Sequence, residues 1–252
     1  MSSTYSDVDG SCDPGGAVRW QERIDSWPQI RAYKRRVVEL LAGADPVLDL
    51  GCGPGADVVQ VGVDRCVGLD RSFTMCVTAS ARGAAVGQAD AQHLPIGSRR
   101  LGGVFADRVL QHVESPDQVL DELVRVLRPG GRLVVADPDQ ETLAIHLPGV
   151  RPDLADRVKA RRRDVGYRNG RLVSSLPDRL AERGFTSLRI DGYPLILRDP
   201  HAAFGLPGWP RLWQSEGGFT EQEVQEWELA VDRSGAGFML ALTYFVVSAS
   251  SP

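Results

Sequence analysis

The residues best suited to chemistry stand at Pro46–Gly55, P-V-L-D-L-G-C-G-P-G, where a short apolar run and an acid, Asp49, lead into glycines at alternate positions. Val47, Leu48 and Leu50 have the character of a strand buried on both faces. Gly51, Gly53 and Gly55 follow where the chain must turn into a helix. Having no Cβ, they let a ligand lie against bare peptide groups around Cys52, and the N–H groups of the next helix point into the same crevice. Alone the loop is ambiguous, because Gly51, Gly53 and Ala56 also satisfy a loose Gly-x-Gly-x-x-Gly/Ala dinucleotide fingerprint, with Asp70 near the expected distance of about 20 residues. Three further groups lie downstream: Asp70-Arg71, Asp90-Ala91-x-x-Leu94-Pro95, and Asp107-Arg108 followed by His112. Asp70 and Asp90 could equally be capping or turn acids, since Ser72 follows one and Pro95 the other. His112 could be a base, a polar wall of a pocket, or only a partner for a loop carbonyl.

These residues need strands to carry them. A helix is expected from Trp27, with Pro28 in its first turn, Ile30, Tyr33, Val37, Leu40 and Leu41 at helical spacing, and Gly43 as its stop. After the glycine loop come a short helix over Ala56–Val61, a strand over Cys66–Asp70, a helix over Ser72–Arg82, and strands over Ala84–Asp90 and Leu101–Val109. Pro116–Leu127 is an amphipathic helix, with Val119, Leu120, Leu123, Val124 and Leu127 on one side. Pro129-Gly130-Gly131 breaks it ahead of a strand over Arg132–Ala136. Strands alternating with helices in this way predict βαβ units, an α/β doubly wound, mostly parallel sheet with helices on both faces. Later, Asp153–Val165 and Ser175–Arg183 read as helices, Thr186–Tyr193 as a strand and Phe238–Ser248 as a strong final strand. The long stretch between those two strands, with Glu221–Val231 helical, is expected to be functional.

The chain has 252 residues, 42% hydrophobic and 25% charged, which is ordinary for a globular protein with a sizeable core. No apolar run approaches the roughly 18 residues that span a bilayer, and Met1–Asp13 is polar and acidic, so a cytoplasmic protein is expected. Cys12, Cys52, Cys66 and Cys76 form no Cys-x-x-Cys pair and have no His at metal spacing, so free thiols and no metal site are expected. A net charge of −4 gives no reason to expect nucleic acid.

Asp49, the Gly51–Gly55 loop, Asp70, Asp90-Ala91-x-x-Leu94-Pro95 and Leu127-Arg128-Pro129-Gly130-Gly131 occur in an order and at distances that resemble the class I S-adenosylmethionine-dependent methyltransferases. Within them the chain is similar to the small-molecule, ubiquinone/menaquinone-biosynthesis-like branch. The resemblance is good over Trp27–Asp137 and holds in outline beyond. It implies a seven-stranded Rossmann-like sheet with one antiparallel strand at Phe238–Ser248, and S-adenosylmethionine as cofactor. On the matching positions it implies that Gly51, Cys52 and Gly53 seat the methionine half, that Asp49 orients the loop and the ammonium group, and that Asp70 accepts from both ribose hydroxyls. Arg71 would lie beside the adenine, and Asp90 and the Ala91 backbone would read its edge. Ala106–His112 resembles the family's Arg-Val-Leu-x-His signature, which puts Asp107 and Arg108 near the methyl and His112 at the catalytic position. Two departures stand out. Leu101-Gly102 replaces a common Phe-Asp, and only Ala56–Arg65 separates the loop from the second strand.

The remaining expectations concern the acceptor. Residues 1–26 read as a flexible segment, residues 27–252 as the methyltransferase domain and residues 195–236 as a lid inserted before the last strand. His146, Trp209 and Trp213 are the expected substrate contacts, with Trp209 in Gly-Trp-Pro suited to a lid. Arg151–Arg171 holds eight basic residues against three acids, expected to be a solvated helix face. The expected reaction is methyl transfer to an O, N or C nucleophile of a small metabolite, by a monomer or homodimer with no nucleic-acid or membrane partner. The rivals are a cofactor-binding cyclase or regulator and an NAD(P)-dependent oxidoreductase. No Tyr-x-x-x-Lys pair supports the oxidoreductase.

Overall fold

The computed structural model describes residues 7–252. The order is α1 (Pro14–Asp25), α2 (Pro28–Leu40), β1 (Val47–Leu50), α3 (Ala56–Val61), β2 (Cys66–Asp70), α4 (Phe73–Ala81), β3 (Ala85–Gln88), β4 (Leu101–Asp107), α5 (Pro116–Val126), β5 (Leu127–His146), α6 (Pro152–Arg161), α7 (Leu172–Glu182), β6 (Thr186–Leu197), α8 (Trp209–Leu212), α9 (Glu221–Arg233) and β7 (Met239–Ser250). The seven strands form one sheet in the order β3-β2-β1-β4-β5-β7-β6. β1 to β5 are parallel, and β7 runs antiparallel to both its neighbours, which leaves β6 parallel to the rest.

Side-chain alternation along the strands builds two cores from the same strands. Val47, Phe105, Val134 and Ala136 face the side covered by α2, α3, α6 and α9, with Ile30, Tyr33, Val58, Leu154 and Trp227. Leu48, Leu50, Val104, Leu133 and Val135 face the other side, with Leu120 and Leu123 of α5 and Leu176 and Leu180 of α7. β1 is buried on both faces, as its unbroken apolar character requires.

Among the boundaries that differ from the sequence reading, four have a plain physical reason. β5 extends from the expected Arg132–Ala136 to Leu127–His146, because antiparallel β7 supplies hydrogen-bond partners beyond Asp137, such as Pro138 opposite Tyr244. β6 continues past Tyr193 to Leu197, and as an edge strand it accommodates Pro194. The expected helix over Asp153–Val165 ends at Arg161 and passes into a π-helical turn, Arg162–Gly166. Within the segment read as flexible, Pro14–Asp25 is helical: Asp13 caps it by accepting from the Gly16 N–H at 2.7 Å, and Pro14 occupies its first turn. Residues 1–6 of that segment lie outside the described residues.

Candidate active site

A cavity opens at the C-terminal ends of β1, β2 and β4, where the sheet order reverses between β1 and β4 and the connections that follow these two strands leave toward opposite sides. The glycine loop forms its floor. The Gly51 and Cys52 N–H groups donate to the Leu69 carbonyl, at 2.7 and 3.1 Å. Gly51 has φ +71°, and a Cβ there would lie 2.4 Å from a Val109 methyl, so only glycine fits. Gly53 has φ +50° and open space where a Cβ would project, which leaves bare backbone facing the cavity.

Asp70 ends β2 and faces the same space. Its carboxylate accepts from the Gly53 N–H and from the Ser72 N–H, each at 2.8 Å. Burial raises its pKa, with Asp9 adding to the rise and those backbone N–H groups opposing it. Arg71, Asp90 and Ala91 line the opposite wall, and Asp90 accepts from the Gln92 N–H at 2.9 Å. Asp107, Arg108 and His112 close the side nearest β4.

Behind the loop lies a buried charge cluster. Lys34 Nζ stands 2.5 Å from Asp57, 3.1 Å from Asp25 and 3.2 Å from Asp107. Arg108, held at φ +59°, pairs with Asp25 at 2.6 Å and Asp107 at 3.1 Å, and the Tyr33 hydroxyl donates to Asp107 at 2.7 Å. Three carboxylates face two cations here, a balance that suits an added ammonium group. Arg108 Nη1 is buried with no hydrogen-bond partner, so one donor remains for a carboxylate. Asp49 is buried below, with one carboxylate oxygen unpartnered, and burial together with Asp57 holds its pKa well above the usual range. An amino-acid moiety carries both an ammonium and a carboxylate, and this corner offers a site for each.

Burial, reinforced by the Arg108 charge, pulls the His112 pKa down to about 4. The imidazole is therefore neutral near pH 7, an acceptor and a weak base.

The structure thus brings Asp49, Gly51, Cys52, Gly53, Asp70, Arg71, Asp90, Ala91, Asp107, Arg108 and His112 to one place, either lining the cavity or directly beneath it. It does not bring His146, Trp209 or Trp213 there. His146 is exposed at the far end of β5 opposite Met239, while Trp209 and Trp213 are buried at 2% and 5% exposure in the core against α6 and α9. The two tryptophans share a cause: an aromatic that fills a core and one that walls a pocket look alike in sequence. Sequence reasoning also missed residues that belong here. Lys34 shares a helix face with Ile30 and Val37, so a charge on the apolar stripe was its signal. Val8 and Gln21 line the cavity, and Asp25 meets Arg108, all from a segment whose composition reads as a tail.

A family model described as a methyltransferase domain matches residues 48–135. The chain is 32% identical over 250 residues to an uncharacterized 37.1 kDa protein in transposon TN4556 of Streptomyces fradiae, covering 93% of this chain and 71% of that protein. It is 29% identical over 194 residues to a malonyl-[acyl-carrier protein] O-methyltransferase of Methylococcus capsulatus, covering 67% of this chain and 66% of that enzyme. The chain therefore spans about two thirds of the length of these relatives. Among solved structures, the YcgJ protein of Bacillus subtilis superposes with a TM-score of 0.60 at 14% identity, over 88% of this chain and 98% of that one. Its likeness concerns the fold. With the bare Gly53 backbone, the carboxylate of Asp70 and the idle Arg108 donor facing one cavity on this sheet, the chain belongs to the class I S-adenosylmethionine-dependent methyltransferases, with S-adenosylmethionine as its cofactor.

Proposed function

We propose that this protein transfers a methyl group from S-adenosylmethionine to an O, N or C nucleophile of a small metabolite, in the cytoplasm, as a monomer or homodimer without a nucleic-acid partner. One observation carries the reading: an acceptor carboxylate at Asp70, bare backbone at Gly53 and a buried, unpartnered Arg108 Nη1 converge on a single cavity. The four cysteines, all free thiols, support a reducing compartment, and the net charge of −4 supports a partner other than nucleic acid. Among the described residues no helix is long and apolar enough to cross a membrane.

When bound, S-adenosylmethionine supplies a sulfonium-activated methyl that a nucleophile takes in line with the carbon–sulfur bond. The chain's own residues orient and enclose. Asp70 accepts from the ribose hydroxyls, Asp90 and the Ala91 backbone meet the adenine edge beside Arg71, and Gly51 to Gly53 present peptide groups to the methionine half. Arg108 donates to the carboxylate, and Asp25, Asp57 and Asp107 supply negative charge for the ammonium. Val8 and Gln21 line the same cavity, where they would help limit water. His112, neutral and beside Arg108, accepts a hydrogen bond from the acceptor or takes a proton from an acidic one. The segment 195–236 would roof the acceptor side, a reading supported by Phe204, whose ring stands 5.6 Å from Trp27 and 6.4 Å from Trp20 of α1.

Calorimetric titration with S-adenosylmethionine and with NAD tests the proposal. Binding of the methyl donor without NAD is the expected result, and tight NAD binding with none of the donor would sink it. A cyclase or regulator would bind the donor yet leave its methyl on sulfur with every acceptor offered.

A further inference from the structure

Of the eight basic residues in Arg151–Arg171, seven are ion-paired. Arg151 meets Glu226, Arg157 meets Glu223, Lys159 meets Asp156, Arg161 meets Glu216, Arg163 meets Asp164, Arg168 meets Glu114 and Arg171 meets Glu141. Those seven behave as the expected solvated face. Arg162 does not. It is 6% exposed, and among the described residues no carboxylate pairs with it.

What surrounds Arg162 is neutral. Its guanidinium lies 3.9 Å from the Trp209 ring centre, 5.0 Å from Tyr167 and 5.5 Å from Phe204. Nε donates to the Gln140 side-chain oxygen at 3.3 Å and Nη2 to the Tyr167 hydroxyl at 2.9 Å, while Nη1 donates to no described residue. Gln140 itself is 3% exposed, and its Nε2 is buried without an acceptor. A cation taken out of water with only neutral acceptors is costly, and an idle amide donor beside it adds to that cost. A bound anion removes both penalties together. The π-helical turn that begins at Arg162 is the kind of helix irregularity that gathers at functional sites.

The position also suits an acceptor. The Tyr167 ring lies 5.6 Å from that of His112, which lines the cofactor cavity, and the Tyr167 hydroxyl is the one that Arg162 binds. Asn169 donates to the Leu110 and Val113 carbonyls, each at 2.8 Å, and so ties the segment after the turn to the rim of that cavity. Tyr167 thus stands between the unneutralised cation and His112 on the cavity side.

We infer that Arg162 and Gln140 form the receptor for a carboxylate of the methyl acceptor, with Trp209 stacked against the guanidinium and Tyr167 between that carboxylate and the cofactor cavity. One guanidinium edge and one amide offer two donors to a planar, singly charged, two-oxygen group. A phosphate dianion would leave a charge uncompensated, since the neighbouring arginines are committed to acids. The inference rests on the methyltransferase reading, because it places the acceptor beside that cavity.

The test uses the whole protein with S-adenosylhomocysteine added, and the probes are benzoate, cinnamate and octanoate against their primary amides, read by saturation-transfer NMR and calorimetry. The carboxylates are expected to bind about tenfold more tightly than the amides. Arg162→Met should remove that preference while S-adenosylmethionine affinity stays within about twofold, since Arg162 lies outside the cofactor cavity. Gln140→Glu is the second variant: it places a carboxylate on Arg162 from within, so it should raise thermal stability and abolish carboxylate binding. Were Arg162 only a pillar for the aromatic segment, Gln140→Glu would stabilise the fold and leave ligand preference unchanged, which overturns the inference. So would amides matching carboxylates in the wild type, or phenyl phosphate displacing benzoate. If the wild type bound no S-adenosylmethionine, the methyltransferase reading would fall, and the carboxylate-to-amide ratio without cofactor would still judge the anion site.

Discussion

Asp70 shows how much one carboxylate can be asked to do. It already holds the glycine loop through the Gly53 N–H and the start of α4 through the Ser72 N–H, and in the proposed role it must also keep oxygen lone pairs for two ribose hydroxyls. Burial raises its pKa, so the neutral acid forms at higher pH than for an ordinary aspartate near 3.9. The ionised form is the full acceptor. Affinity for S-adenosylmethionine is therefore complete above the raised pKa and falls as pH drops through it. Asp70→Asn is expected to weaken binding by about 1.5–3 kcal/mol, the value of a hydrogen bond to a charged group, and to flatten the acid limb. Titrations from neutral pH downward through the acid limb decide it, and an Asn variant with wild-type affinity and the same acid limb would remove Asp70 from the site. His112 shows the opposite effect of burial. Its depressed pKa of about 4 makes it a poor match for a general base at neutral pH, so it suits an acceptor that brings its own anionic nucleophile.

The element with the largest consequence for the site is the N-terminal one. Its sequence, Asp13-Pro14-Gly15-Gly16, looks like a turn because two glycines lower helix propensity, yet Asp13-Pro14 is also a cap followed by a first-turn proline. Ala17 and Ile24 then bury one face. What the sequence cannot display is where this segment docks. Asp9 accepts from the Ser72 hydroxyl at 2.8 Å and from the Phe73 and Thr74 N–H groups at 2.7 and 3.1 Å, clamping the segment to the N-terminus of α4 beside the cavity. Burial opposes ionisation, but these hydrogen bonds outweigh it and draw the Asp9 pKa down to about 2. Asp9→Ala is expected to cost about 1 kcal/mol, as the loss of a helix cap does, and to lower Tm by about 2–4 °C. A lowered carboxylate pKa stabilises above the unfolded value and is lost as pH falls, so the gap between wild type and variant should close between about pH 4 and 2. Calorimetric melts test this, and a stopped-flow release rate for S-adenosylmethionine that is no faster in the variant would deny the clamp a part in retention.

At the scale of the whole molecule, what the sequence made legible is what depends on short-range pattern. The strands themselves followed from apolar runs at or near whose ends stand Asp49, Asp70 and Asp107, and those ends converge because parallel strands all deliver their C-termini to one edge. The acceptor side was illegible, since His146, Trp209 and Trp213 carry no periodicity that separates a pocket wall from a core. Lys34 showed in the sequence only as a charge on an apolar stripe, and its role was illegible because its partners Asp25, Asp57 and Asp107 come from α1, α3 and β4, which only the assembled fold brings within 3.2 Å. This lysine ties four elements around the site, which makes it a test of the architecture. Burial works against its charge, but Asp57 and Asp107 raise its pKa, so its contribution is complete below the unfolded lysine value of about 10.4. Arg108 and Lys34 lower the Asp25 pKa against burial, so the contribution of Asp25 is present above about 3.9 and fades in acid. Together they predict a tie that is intact across the neutral range. Lys34→Met leaves three carboxylates facing Arg108 alone and is expected to cost about 3–5 kcal/mol, the loss seen when one partner of a buried ion pair is removed. For a chain of this size that is a fall in Tm on the order of 10 °C at pH 7.5. The deficit should shrink toward pH 5, because protonating the stranded carboxylates relieves their repulsion. Urea unfolding and thermal melts at the two pH values measure both quantities, and a variant that melts with the wild type at pH 7.5 would mean that packing alone joins these four elements.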